Sequence, residues 1–181
     1  VSTDRWLANS YKFIKWSRFG NIDYVYIEYS LDNGQNWDFV NSGTPISNTG
    51  SYGWTLPNVI AKQARVRITD TDDPNANTVS DAFNIHGAVT LTQPNGQEKF
   101  RANQFDSSSK IKWNLVGPVQ TVNIALSNTG VGGEYTTFAT TQPAGPLEYA
   151  WRVPNNIISN NCFIRIRDSS DDLVEDTSDL P

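Results

Sequence analysis

The chain carries the same text twice. Placing Trp16 on Trp113 sets an offset of about 97 residues; Gly20 then meets Gly117, Val25 meets Val122, Ile27 meets Ile124 and Ser30 meets Ser127. Trp54 meets Trp151, and Pro57 meets Pro154. One inserted residue later, Val66-Arg67-Ile68 meets Ile164-Arg165-Ile166, Asp70 meets Asp168, and Ser80-Asp81 meets Ser178-Asp179. A repeat that keeps its order throughout implies two similar modules, and about 90 residues is enough for a small all-β sandwich.

The way the copies diverge points to sheets. Val25, Ile27 and Tyr29 answer to Val122, Ile124 and Leu126, so this phase stays apolar. The alternate positions Tyr24, Tyr26 and Glu28 become Thr121, Asn123 and Ala125. One face is held and the other drifts, as expected of a strand with one buried and one wet face. Asp32-Asn33-Gly34 then supplies a turn, because Asn and Gly tolerate positive φ. In the first copy the spacing predicts strands over residues 11–16, 24–30, 36–40, 50–55, 64–69 and 82–85.

The expected fold is therefore all-β: two tandem immunoglobulin-like β-sandwich modules, residues 1–86 and 87–181, joined at Ile85-His86-Gly87-Ala88. The copies are out of phase with these bounds. Residues 89–98 have no counterpart ahead of Tyr11, so the first strand of the first module is missing or supplied by a neighbour. The second copy stops before a match to residues 82–85, so its last strand is missing or truncated. Two readings stay open: a segment of a longer repeat protein, or a subunit that lends and borrows a strand. The chain contains no Met, which reads as a mature product or an excerpt.

Trp16, Trp54, Trp113 and Trp151 recur between copies and are assigned to the cores with Val25, Ile27, Val122 and Ile124. Trp6 and Trp37 are read as core too, paired loosely with Phe100 and Tyr135.

Several function classes find no support. Net charge is −5, pI is near 4.7, and the clustered charges are acidic, which argues against nucleic acid. No apolar run is long enough to span a membrane. Cys162 is the sole cysteine, which rules out an intrachain disulfide, and it reads as a small buried hydrophobe. His86 is the sole histidine and lies in the linker, so no Ser-His-Asp, Cys-His or zinc arrangement can be built in duplicate. No catalytic residue is assigned, and the chain is expected not to be an enzyme.

Two ligand classes keep named candidates. Asp70, Asp72, Asp73 and Asp81 in the first copy, and Asp168, Asp171 and Asp172 in the second, are spaced so that carboxylates could converge on Ca²⁺; the competing reading is a plain solvated turn. Tyr24, Tyr26 and Tyr52 sit on the non-core phase and could stack on sugar rings or a partner; the competing reading is a lined sheet or module contact. Ser30-x-Asp32-x-Gly34-x-Asn36-Trp37 resembles the Asp-box hairpin of sialidase-like propellers, where the Asp caps the turn and a ring packs beneath it.

These phrases together resemble tandem immunoglobulin-like modules of large bacterial secreted and cell-surface proteins, including surface-layer types. The resemblance rests on Pro94-Asn95-Gly96-Gln97-Glu98 with Phe100, on Ile111-Lys112-Trp113, on residues 25–37, on Trp54 with Pro57 and Trp151 with Pro154, and on Val66-Arg67-Ile68-Thr69-Asp70. The second copy departs from it at residues 128–133, where the acidic turn is lost. The resemblance implies a non-enzymatic repeat at the cell surface, a surface-layer, matrix or filament component whose partners are other copies or adjacent modules. A carbohydrate-binding or adhesin module contacting cell-surface glycans, and the stalk of a secreted hydrolase, are the alternatives.

Overall fold

The computed structural model describes residues 4–103 and 109–181. Every regular element among them is a strand, and no helix is long and apolar enough to cross a membrane. Contacts divide the chain between His86 and Gly87 into two compact units.

Unit 1 runs β1 (Arg5–Leu7), β2 (Tyr11–Lys15), β3 (Tyr24–Ser30), β4 (Asp38–Phe39), β5 (Ile46–Ser47), β6 (Ser51–Thr55), β7 (Ala61–Asp70), β8 (Asn77–Val79) and β9 (Phe83–His86). Its larger sheet has the order β1-β9-β7-β3-β4, with β5 added to β3 and β8 to β7; β2 and β6 pair separately. Alternation decides which side faces in. Val25 and Ile27 of β3, Ala64, Val66 and Ile68 of β7, and Phe83 and Ile85 of β9 are buried together with Ile14 of β2 and Trp54 of β6. The Tyr29 ring lies 5.3 Å from that of Trp54, and Trp6 lies 4.5 Å from Phe83.

Unit 2 runs β10 (Ala88–Gln93), β11 (Lys110–Val116), β12 (Thr121–Ser127), β13 (Thr136–Pro143), β14 (Glu148–Ala150), β15 (Phe163–Asp168) and β16 (Glu175–Thr177). It forms two sheets, β10-β11-β14 and β13-β12-β15-β16. Trp113, Val122, Ile124, Ile166 and Trp151 are buried in it. The register repeats between units. Val25↔Asp70, Ile27↔Ile68 and Tyr29↔Val66 on β3 and β7 answer to Val122↔Asp168, Ile124↔Ile166 and Leu126↔Ile164 on β12 and β15.

Three short strands, β1, β5 and β8, lie where no strand is predicted, and β4 starts later than residue 36. The delay moves Trp37. The turn after β3 puts Asn33 at φ 63° and Gly34 at φ 89°, and the chain re-enters strand geometry only at Asp38. Trp37 therefore stands outside the core to which its apolar character assigned it. It is half-buried, its Nε1–H donates to the Gly34 carbonyl at 3.0 Å, and the Arg67 guanidinium lies 4.4 Å over its ring. Trp16 does pack on the core, half-buried, with Nε1–H donating to Asn48 Oδ1 at 2.8 Å.

Candidate functional site

The outward face of the β4-β3-β7 sheet is where unit 1 departs from unit 2. Along β3 the outward residues are Tyr24, Tyr26 and Glu28. Glu28 lies opposite Arg67 on β7 and Phe39 on β4, and Tyr26 lies opposite Thr69, which is itself paired to Asn77 of β8. Glu28 accepts two hydrogen bonds from Arg67, at 2.8 and 2.9 Å. The same guanidinium lies over the Trp37 ring, so one side chain makes both a two-pronged ion pair and a cation–π contact, a combination a lysine could not reproduce. Tyr26 and Phe39 approach with centroids 5.6 Å apart at 56°. Between them and Asn77 the surface dips into a concavity of about 260 Å³ whose lining includes Tyr26, Glu28, Phe39, Arg67, Thr69 and Asn77, with Asp70 and its loop at one side. Tyr24, two residues along β3, keeps 53% of its surface exposed, and Phe39 keeps 47%.

Unit 2 gives an internal control. Its counterpart of Arg67 is Arg165, and its counterpart of Trp37 is Tyr135; Arg165 lies 4.1 Å over the Tyr135 ring. The stacked cation is thus common to both units. The concavity is not: Thr69 and Asn77 answer to Arg167 and Glu175, which form an ion pair across β15 and β16, 2.8 Å from Nε to Oε2. This partner holds the Arg167 pKa above its usual value, with Asp172 adding to it and burial opposing.

The predicted site residues fall as follows. Tyr24 and Tyr26 share the outward face. Tyr52 does not: on β6 it is two residues from buried Trp54, so it shares the inward phase and packs on the core. Phe39, Arg67, Thr69 and Asn77 were not singled out. The available signal was the exchange of an Arg–Glu pair in one copy for Thr and Asn in the other.

The acidic loops turn inward on themselves. Asp70 Oδ1 accepts from Asp72 N–H at 3.0 Å, and Asp73 Oδ1 from Asn75 N–H at 2.9 Å. Buried Asp168 accepts from the backbone and hydroxyl of Ser170, both at 2.8 Å, and Asp171 from Leu173 N–H at 3.2 Å. Asp172 reaches Arg167, and Asp81 is exposed. Among the described residues no three His, Cys, Asp or Glu side chains converge to hold a metal ion. Cys162 is half-buried, not buried, and His86 ends β9 opposite Leu7.

No family model matches the chain, and no curated protein matches it. Among solved structures it is similar to the fibronectin(III)-like modules of Clostridium thermocellum CbhA, at 15% identity over 99% of this chain and 88% of that one, with a TM-score of 0.32. It is also similar to Bacteroides ovatus SGBP-B of the mixed-linkage glucan utilization locus, solved with a mixed-linkage heptasaccharide. There identity is 15% over 97% of this chain and 44% of that one, less than half of that protein's length, with a TM-score of 0.32.

Proposed function

We propose that the chain is a non-enzymatic structural and interaction repeat: two tandem immunoglobulin-like sandwich modules of an extracellular bacterial protein of the surface-layer, matrix or filament kind. It would bind copies of itself or adjacent modules through sheet edges. The observation that carries this reading is the edge of β2. β2 pairs β6 in the same register that β11 keeps with β14, Phe13↔Gly53 answering to Lys110↔Ala150 and Ile14↔Tyr52 to Ile111↔Tyr149. On its other edge β11 carries β10, with Leu91 opposite Trp113. Among the described residues β2 carries no strand there, and residues 16–19 lie outside strand geometry whereas their counterparts belong to β11. An unpaired row of N–H and C=O groups is a template for another strand. Tyr11 and Phe13, 60% and 57% exposed, flank it.

Sedimentation across a concentration series tests this. Self-association is expected, competed by a peptide of residues 88–98. Because Trp16 N–H is committed to Gly50, the preceding amide, that of Lys15 within β2, points to the open edge. Lys15→Pro removes it and is expected to abolish association. A chain that stays monomeric at every concentration, with no peptide binding, would sink the reading.

A further inference from the structure

We infer that the outward face of β3, β4, β7 and β8 in unit 1 is a binding site for a neutral oligosaccharide, independent of the β2 edge. Three features point to that chemistry. First, the aromatic groups stand where the fold does not need them: Tyr24, Tyr26 and Phe39 answer to Thr121, Asn123 and Thr137, and unit 2 builds the same sheet register without them. Second, the concavity beside Tyr26 and Phe39 occupies the position that unit 2 fills with the Arg167–Glu175 pair. It is a vacated position in a repeated lattice rather than a gap between irregular loops.

Third, the lining mixes faces and forks. A pyranose presents C–H groups on its ring faces and hydroxyls around its rim, so it needs a flat aromatic wall with hydrogen-bonding groups beside it. Tyr26 and Phe39, tilted 56° to each other, supply two such ring faces at an angle, and the Glu28–Arg67 fork and Asn77 lie beside them. Thr69 Oγ1 is buried in the floor without a hydrogen-bond partner among the described residues. Rotating it toward the concavity would let a ligand hydroxyl satisfy a group that is otherwise costly to leave unpaired. Glu28 and Arg67 neutralise each other, and the one remaining charged group on the lining, Asp70, is anionic, which disfavours an acidic ligand. A lipid chain would want an unbroken apolar surface, and polar Glu28, Arg67 and Asn77 interrupt this one. Tyr24 extends the aromatic row by two residues, about 7 Å along the strand, enough to engage more than one sugar ring.

The test titrates the whole chain with cello-, xylo-, chito- and manno-hexaose, followed by calorimetry and by the intrinsic fluorescence of the protein. Saturable binding of at least one hexaose is expected. Tyr26→Ala is expected to weaken it by about tenfold or more, the loss of one stacking contact. The double variant Thr69→Arg, Asn77→Glu rebuilds the ion pair of unit 2 inside the concavity. It is expected to abolish binding while melting at the wild-type temperature, since unit 2 shows that this sheet accommodates the pair. Both variants should leave sedimentation unchanged, because the β2 edge is untouched. No saturable binding of any hexaose would overturn the inference, as would binding that survives the double variant undiminished.

Discussion

Asp32 shows how much one carboxylate can organise. Its Oδ1 accepts from Asn36 N–H at 2.9 Å, Gln35 N–H at 3.1 Å and the Ser30 hydroxyl at 2.7 Å, while Oδ2 accepts from Asn36 Nδ2 at 2.6 Å. These donors, the Asn36 side chain foremost, lower its pKa from 3.8 to about 2. A carboxylate with a depressed folded-state pKa contributes stability that is present above its unfolded value and is lost as pH falls through the folded one. The β3–β4 turn is therefore expected to hold at neutral pH and to loosen between about pH 4 and pH 2. NMR titration of the Asp32 carboxyl should show a midpoint near 2; a midpoint near 4 would mean that the four donors do not act in solution. Asp32→Asn should flatten that response. Ser30 serves the same turn from beneath, accepting from Gly34 N–H at 2.8 Å, and its counterpart Ser127 donates to the Gly130 carbonyl at 2.8 Å after the acid is gone. A second repeated serine has a separate duty. Ser178 Oγ accepts from the buried Ile164 N–H at 3.2 Å, as Ser80 Oγ accepts from Val66 N–H at 3.0 Å. Ser178→Ala leaves that amide unpaired and is expected to cost about 1–3 kcal/mol in a denaturant titration.

For each element, the repeated inward phase was legible and the ends were not. Alternation placed Val25 and Ile27, and Val122 and Ile124, in the two cores, because an apolar row every second residue admits one arrangement on a half-buried sheet. Trp37 escaped that logic. It lies just after a turn with two residues at positive φ, so the period that carries β3 cannot be counted across it. Tyr52, expected on the non-core phase, shares the inward side of Trp54 two residues on, which fixes its side. The outward stack that resulted has a measurable signature. Trp37→Ala is expected to cost only the cation–π and partial burial, about 0.5–2 kcal/mol, whereas Trp113→Ala removes a ring 1% exposed and should cost about 3–5 kcal/mol. Equal losses in chemical denaturation would return Trp37 to the core.

For the whole molecule, the all-β character was written in the period-2 alternation, the spaced turn residues and the absence of any helical period. What could not be read was the long-range closure of unit 1, since β1 is three residues long with no alternating pattern to betray it. The calcium candidates belong at this scale as well. Among the described residues the acidic side chains of these loops do not converge in the groups of three that an ion would need. Chelation with EDTA is accordingly expected to leave both the melting midpoint and its cooperativity in place; a lower midpoint would put an ion in those loops. The closure itself has a consequence for how the chain can be cut. β1 pairs parallel with β9, Arg5 beside Asn84 and Leu7 beside His86, and the bonds from Asn84 N–H to the Asp4 carbonyl and from Ala8 N–H to the His86 carbonyl bracket the pairing. The first and last strands of unit 1 are thus neighbours, and because they run parallel the two ends lie one three-residue strand apart. A linker from His86 that runs back along the pair to Asp4, with new ends at the exposed Asp73-Pro74, would yield a circular permutant with every core strand retained, and protease nicking there should leave two fragments that stay together.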